Sequence, residues 1–342
     1  MKKINTIISL LLLVLAMSCD SKDYIESTTS SSLKEEKELL RIYEQIDSIK
    51  IAYSNNSRPH KGFFSWFASN KIETSADNIG RVAGAYAGKY LGTAAGSLTG
   101  NPIVAVGGYI GGRKLGSMVG SVAASYAVFV GASWIEKKIS KSPTQIQNYA
   151  CNKIKKSSGV PTRNELTFGE LHNQIIYKLI SNGNKYINYI NNEQCINYNL
   201  LIADAERFAK ELDPNRFKDH SISDYYDEIR RQVVEIHTTS NYIYSNRIIE
   251  KSVFYDNAFS RLYNITKIDK IVYDQSAKID IEVSETYAYL DEHLLLECKN
   301  DIDRVINEAQ VNDVLRQELL LTNDVIANST LLWRDIHQEN IQ

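Results

Sequence analysis

Several signatures of chemistry are missing from this 342-residue chain. It has no GxSxG elbow, no GxxxxGK[ST] or GxGxxG loop and no HExxH helix, so no nucleophile turn, phosphate cradle or zinc motif presents itself. Histidine is sparse and scattered, at His60, His172, His220, His237, His293 and His337. The best polar cluster sets His293 one turn before Glu297, with Cys298 beside it. Two ligands on one helix face do not make a metal site. Glu235 and His237 are two apart and point to different sides of a helix, and Asp301 and Asp303 read as a solvated helix turn. No two cysteines fall at CxxC spacing, which excludes a zinc knuckle or a redox dithiol. Basic charge is not in excess either. Without Lys2 and Lys3 the chain holds 37 basic and 41 acidic residues, a balance of −4 that gives nucleic acid no basic face. These absences lead to a non-enzymatic reading, with no cofactor, no metal and no catalytic residue.

What is abundant is glycine at a fixed interval. It recurs every fourth residue at Gly80, Gly84, Gly88, Gly92, Gly96 and Gly100, and after Asn101-Pro102 again at Gly108, Gly112, Gly116 and Gly120. Glycine costs a helix roughly 0.8–1 kcal/mol per residue against alanine, so ten of them need compensation on the order of 8–10 kcal/mol. Close helix–helix approach supplies it, because a missing Cβ lets two backbones touch. The reading is a helical hairpin over 75–138. Ser75 and Asp77 suit its first turn, and Pro102 suits the start of the second helix. Four residues turn about 400° on a helix, so each glycine drifts roughly 40° from the last. The stripe must therefore cross its partner sharply or meet several neighbours in turn.

The first helix of the hairpin carries Arg81 and Lys89, and its uncharged remainder is short. The second carries Arg113-Lys114 and then runs uncharged from Leu115 to Ile135, about 31 Å of helix, enough to span a bilayer. Three placements follow for residues 115–135: buried in a helical body, held in a membrane, or inserted conditionally.

Around the hairpin the chain reads as mainly α-helical. Lys2-Lys3, an apolar run from Ile7 to Leu15 and then Ala16-Met17-Ser18-Cys19 have the form of a secretory signal over 1–18. Residues 19–32 are a polar, flexible tether. Residues 33–74 hold an amphipathic helix and an aromatic loop. The helix seam is Leu39, Ile42, Ile46, Ile49 and Tyr53, expected to dock on the body of the protein; the loop contains Phe63-Phe64-Ser65-Trp66-Phe67. Turn residues mark 139–162 as a linker with a domain boundary near 160. A helical-bundle domain over 163–342 follows. Its apolar faces are Ile222, Tyr226, Ile229, Val233, Ile236 and Val311, Leu315, Leu319, Thr322, Ile326, Trp333. Ser221 and Asp224 have capping-box spacing, and Asp213-Pro214 breaks the chain between helices. Ile279, Ile281 and Val283 alternate with polar residues, which admits a short β-hairpin near 268–284.

The first 20 or so residues resemble the bacterial lipoprotein signal, in which small residues precede an acylated cysteine. The resemblance implies lipidation at Cys19, a membrane tether and a place in the cell envelope, at the outer membrane or cell surface rather than the inner membrane. A lipoprotein cysteine followed by GxxxGxxxG repeats is similar to the glycine-zipper outer-membrane lipoproteins, with two small-residue helices in or against that membrane. This chain differs in its long tail, 163–342, and in the charges within the repeats. The family likeness implies an envelope structural or interaction role, and the glycine stripe admits a homo-oligomer. The rival is a pore-forming or antimicrobial toxin, because pore-forming bacteriocins and colicins also hide a Gly/Ala-rich hairpin in a helical bundle.

Overall fold

The computed structural model describes residues 34–54, 76, 80–81, 102–136, 166–191, 193–246, 251–260 and 267–338. The leader over 1–18, Cys19, the tether to 32, the aromatic loop, the linker over 139–162 and Gly84, Gly88, Gly92, Gly96 and Gly100 lie outside the described residues.

The fold is mainly α-helical with one small antiparallel sheet. Helix α1 occupies 34–54. Ala76, Gly80 and Arg81 are helical, and α2 spans Pro102–Glu136. Next come α3 (Phe168–Ser181), a 3-10 turn (Gly183–Tyr186), β1 (Ile187–Ile190), β2 (Glu193–Ile196), α4 (Tyr198–Leu212) and α5 (Pro214–Phe217). A second 3-10 turn (Ser223–Tyr225) leads into α6 (Tyr226–Ser245), α7 (Lys251–Ser260), α8 (Lys267–Tyr289), α9 (Glu292–Glu308) and α10 (Asp313–Gln338).

Local chemistry sets several of these boundaries. Pro102 opens α2, where a missing N–H costs nothing. Asp213 caps α5, its Oδ1 accepting the Arg216 N–H at 3.0 Å, with Pro214 as first helical residue. Thr167 and Glu170 form a capping box on α3: the Thr167 hydroxyl accepts the Glu170 N–H at 3.2 Å and Glu170 accepts the Thr167 N–H at 2.7 Å. Thr167→Ala is expected to cost about 1 kcal/mol in urea unfolding, a typical loss for an N-cap.

Ser221 does not play that part. Its hydroxyl accepts the Ser223 N–H at 3.2 Å within the 3-10 turn, and Glu206 of α4 takes the Ile222 N–H. Helix α6 then starts at Tyr226. The capping-box spacing is present, but a tertiary carboxylate reaches the backbone first.

Residues 268–284 are helical rather than a β-hairpin. Val272, Ser276, Ile279, Val283 and Tyr287 are buried at intervals of three and four, while Ile281 is partly exposed. The alternating Ile279-Ile281-Val283 triplet is thus two members of a helical stripe and one outlier, and packing overrides β-propensity. The sheet lies at β1–β2 instead, with Ile190 paired to Glu193 across Asn191-Asn192. Asn191 has φ 52°, which asparagine accepts more readily than most residues and which suits the twist of a two-residue hairpin.

Two buried apolar clusters share α10. One unites α2, α3, α4 and α6 with Val325, Leu332 and Trp333. The other unites α1, α8 and α9 with Leu315, Leu319, Ile326 and Ala327. Every member of the predicted Val311–Trp333 face is buried, as are Ile222, Ile229, Val233 and Ile236. Helix α1 docks on the second cluster through Leu39, Ile42, Tyr43 and Ile46. Its polar side reinforces the contact: Tyr53 donates to Asp301 at 2.9 Å, and Glu38 and Glu35 accept the N–H groups of Gln310 (2.8 Å) and Asn312 (3.0 Å) ahead of α10.

Candidate functional site

Over Arg113–Gly131 helix α2 has no polar face, and every residue there but the half-buried Lys114 is buried. It packs against α6, α4 and α3. A helix apolar all round must be buried, either in a core or in lipid. The stretch Arg113–Gly131, 19 residues, is the one helix among the described residues long and apolar enough to cross a membrane, and 94% of it is buried inside the protein. At 1.5 Å per residue it is about 28 Å long, close to the ~30 Å of a bilayer core.

Gly80 lies hard against α2. A Cβ on Gly80 would lie 2.7 Å from the Ala124 Cβ and 2.9 Å from the Gly120 carbonyl carbon. Gly80, Gly116 and Gly120 are buried, and Gly108 and Gly112 lie within α2. Further along, Gly131 presses against α6. A Cβ there would sit 2.8 Å from His237 Cδ2, with His237 Nε2 and Asn241 Oδ1 nearer still.

Two arginines flanking this region, Arg81 and Arg113, are clamped inside the protein. Arg81 is 0% exposed and Arg113 is 9% exposed, and both bind Glu318 of α10, itself 4% exposed. Arg81 Nη1 donates to one carboxylate oxygen at 2.5 Å, and Arg113 Nε and Nη2 donate to the other at 2.7 and 2.6 Å. Arg81 Nη2 also reaches Thr322 Oγ1 at 2.5 Å and Ser276 Oγ at 3.2 Å. Burial pushes the Glu318 carboxyl up, but the charges and hydrogen bonds of Arg113 and Arg81 outweigh it and hold its pKa below the ordinary value. One carboxylate thus joins Arg81 and α2 to α10.

Glu318 is the buried ion-pair residue that pattern reading of the chain misses. A signal for it existed. Glu318 lies on the apolar side of α10, one turn before Thr322 and beside Leu319. An acid in such a stripe calls for a basic partner, and two arginines in apolar helices call for an acid.

The other polar candidates do not assemble into a reactive site. His293 Nδ1 is 3.6 Å from Glu297 Oε1 on the surface, while Cys298 is buried on the other side of α9. Asp303 is not simply solvated: it binds Lys299 at 2.6 Å and Asn323 at 2.9 Å. Among the described residues no group of three His, Cys, Asp or Glu side chains is placed to hold a metal ion. An open groove of about 470 Å³ beside α4 is lined by charges that pair with each other, Arg207 with Glu211 at 2.6 Å and Lys210 with Glu206 at 2.7 Å. No known family, curated protein or solved structure matches this chain.

Proposed function

We propose that this is an exported, lipid-anchored envelope protein that stores a membrane-length helix in its helical body and acts on a bilayer by releasing it. The observation that carries this reading is α2: an all-round apolar span enclosed by amphipathic helices, with its flanking arginine neutralised by Glu318. The Gly80–Gly120 contact supports a glycine-zipper hairpin over 75–138. A core helix that needs only packing is served by alanine and leucine. Glycine at this density favours a helix that must pack backbone to backbone, in the body and again in lipid. In a bilayer the same stripe would join copies of α2 into an oligomer. Cys19 supplies the tether, and the pore-forming or antimicrobial role follows from the insertion.

A second reading has its own support. The Arg81–Glu318–Arg113 clamp fixes the hairpin to α10, as suits a permanent structural or interaction role in the envelope. Dye release separates the two. The full mature chain, added to dye-loaded vesicles of anionic and neutral lipid, is expected to cause leakage. Absence of leakage at every composition between pH 7 and about 4.5 would overturn the membrane-active reading and leave the structural one.

A further inference from the structure

The contact between α2 and α6 is built around a buried histidine. His237 is 7% exposed. Its Nδ1 lies 2.6 Å from the Tyr198 hydroxyl of α4, and its Nε2 lies 3.0 Å from Asn241 Nδ2, one turn along α6. The ring covers Gly131, where α2 has no side chain to interpose. Of seven buried polar side-chain atoms without a partner among the described residues, four lie on these two helices: Ser117 Oγ, Gln232 Oε1, Thr239 Oγ1 and Asn241 Oδ1. Each such atom costs the fold some stability where it lies.

We infer that His237 is an acid-operated latch on α2: its protonation sets a cation between α6 and the stored helix and opens that contact. This deepens the membrane-active reading and rests on it. Among other contacts, the ring meets Tyr198 from α4, Gly131 from α2 and Asn241 from α6 itself. Of these only Tyr198 titrates. Burial, and then the neighbouring Cys195, lift its phenol to about 12, so it stays neutral throughout. Glu235 lies two residues back on α6, about 200° round the helix.

Burial holds the His237 imidazole down to about 4, against 6.5 in an open form. The sign follows. The open form binds the proton more tightly, so the closed form keeps its full stability above pH 6.5 and loses it as pH falls towards 4. Between pH 7 and pH 5 the open population rises about twentyfold.

Hydrogen exchange at residues 115–131 of the full chain, corrected for intrinsic rates, tests this. The wild type is expected to lose about twentyfold protection between pH 7 and pH 5. His237→Gln, which cannot take the proton, is expected to stay flat. A flat wild type, or equal losses in both, overturns the latch. If His237→Gln does not fold, His237→Met is put to the same comparison. Vesicle leakage at both pH values separates this inference from the one it rests on. Acid-enhanced exchange without leakage keeps the latch and removes the membrane activity. Leakage that is equal at both pH values keeps the activity and removes the latch.

Discussion

Glu318→Ala is expected to destabilise the protein by about 3–5 kcal/mol, read as a fall in the urea midpoint. Domain stabilities run at about 5–15 kcal/mol, so this single change takes a large share of the whole. The cause is not the loss of an attraction as such. Arg81 and Arg113 are both buried, and each has already given up its hydration. Without the carboxylate, both lose the countercharge that Glu318 supplies. The hydroxyl oxygens of Ser276 and Thr322, which also accept from Arg81, carry no charge to replace it. Glu318→Gln keeps the shape and an acceptor and removes the charge, so it isolates the electrostatic part and should fall between wild type and alanine. Replacing the whole triad with Arg81→Met, Arg113→Met and Glu318→Leu is expected to restore most of the loss, because a packed apolar trio avoids desolvating ions. If the triple variant were as damaged as Glu318→Ala, the clamp would be essential for shape rather than for charge.

Gly80→Ala is the second large effect, and its sign is unusual. In an exposed helix this change stabilises by up to about 1 kcal/mol. Here the added methyl meets the Gly120 carbonyl group and the Ala124 Cβ. Backbone cannot rotate away as a side chain can, so the two helices must part. Overpacking of this kind costs about 1–3 kcal/mol, enough to reverse the propensity gain. Thermal unfolding of Gly80→Ala beside Gly108→Ala is the check. Gly80→Ala is expected to lower the melting temperature by several degrees. A rise would mean that the helices do not touch there.

Periodicity made much of this architecture legible. The α1 seam, the buried face of α10 and the α2 start at Pro102 follow from residues three and four apart and from one proline. Two kinds of information were hidden. Where local preference and packing disagree, packing wins, so Ile279 and Val283 went into a helix and the β-hairpin formed at Asn191. Where a site is made by residues far apart in the chain, spacing carries no trace of it. Arg81 and Arg113 meet Glu318 across 237 and 205 residues of chain, and His237 meets Gly131 because α6 packs on α2. A buried arginine announces that it needs a partner; it does not say which acid will be there.

The most direct test of the stored-helix account is to ask what residues 115–131 touch when a bilayer is present. Vesicles containing a lipid with a photoreactive acyl chain, mixed with the full mature chain and irradiated, allow cross-links to be mapped by peptide mass spectrometry. The account predicts cross-links concentrated in 115–131, with few in α4 and α9. Cross-links confined to other segments, with 115–131 untouched while the protein is bound to vesicles, would contradict it.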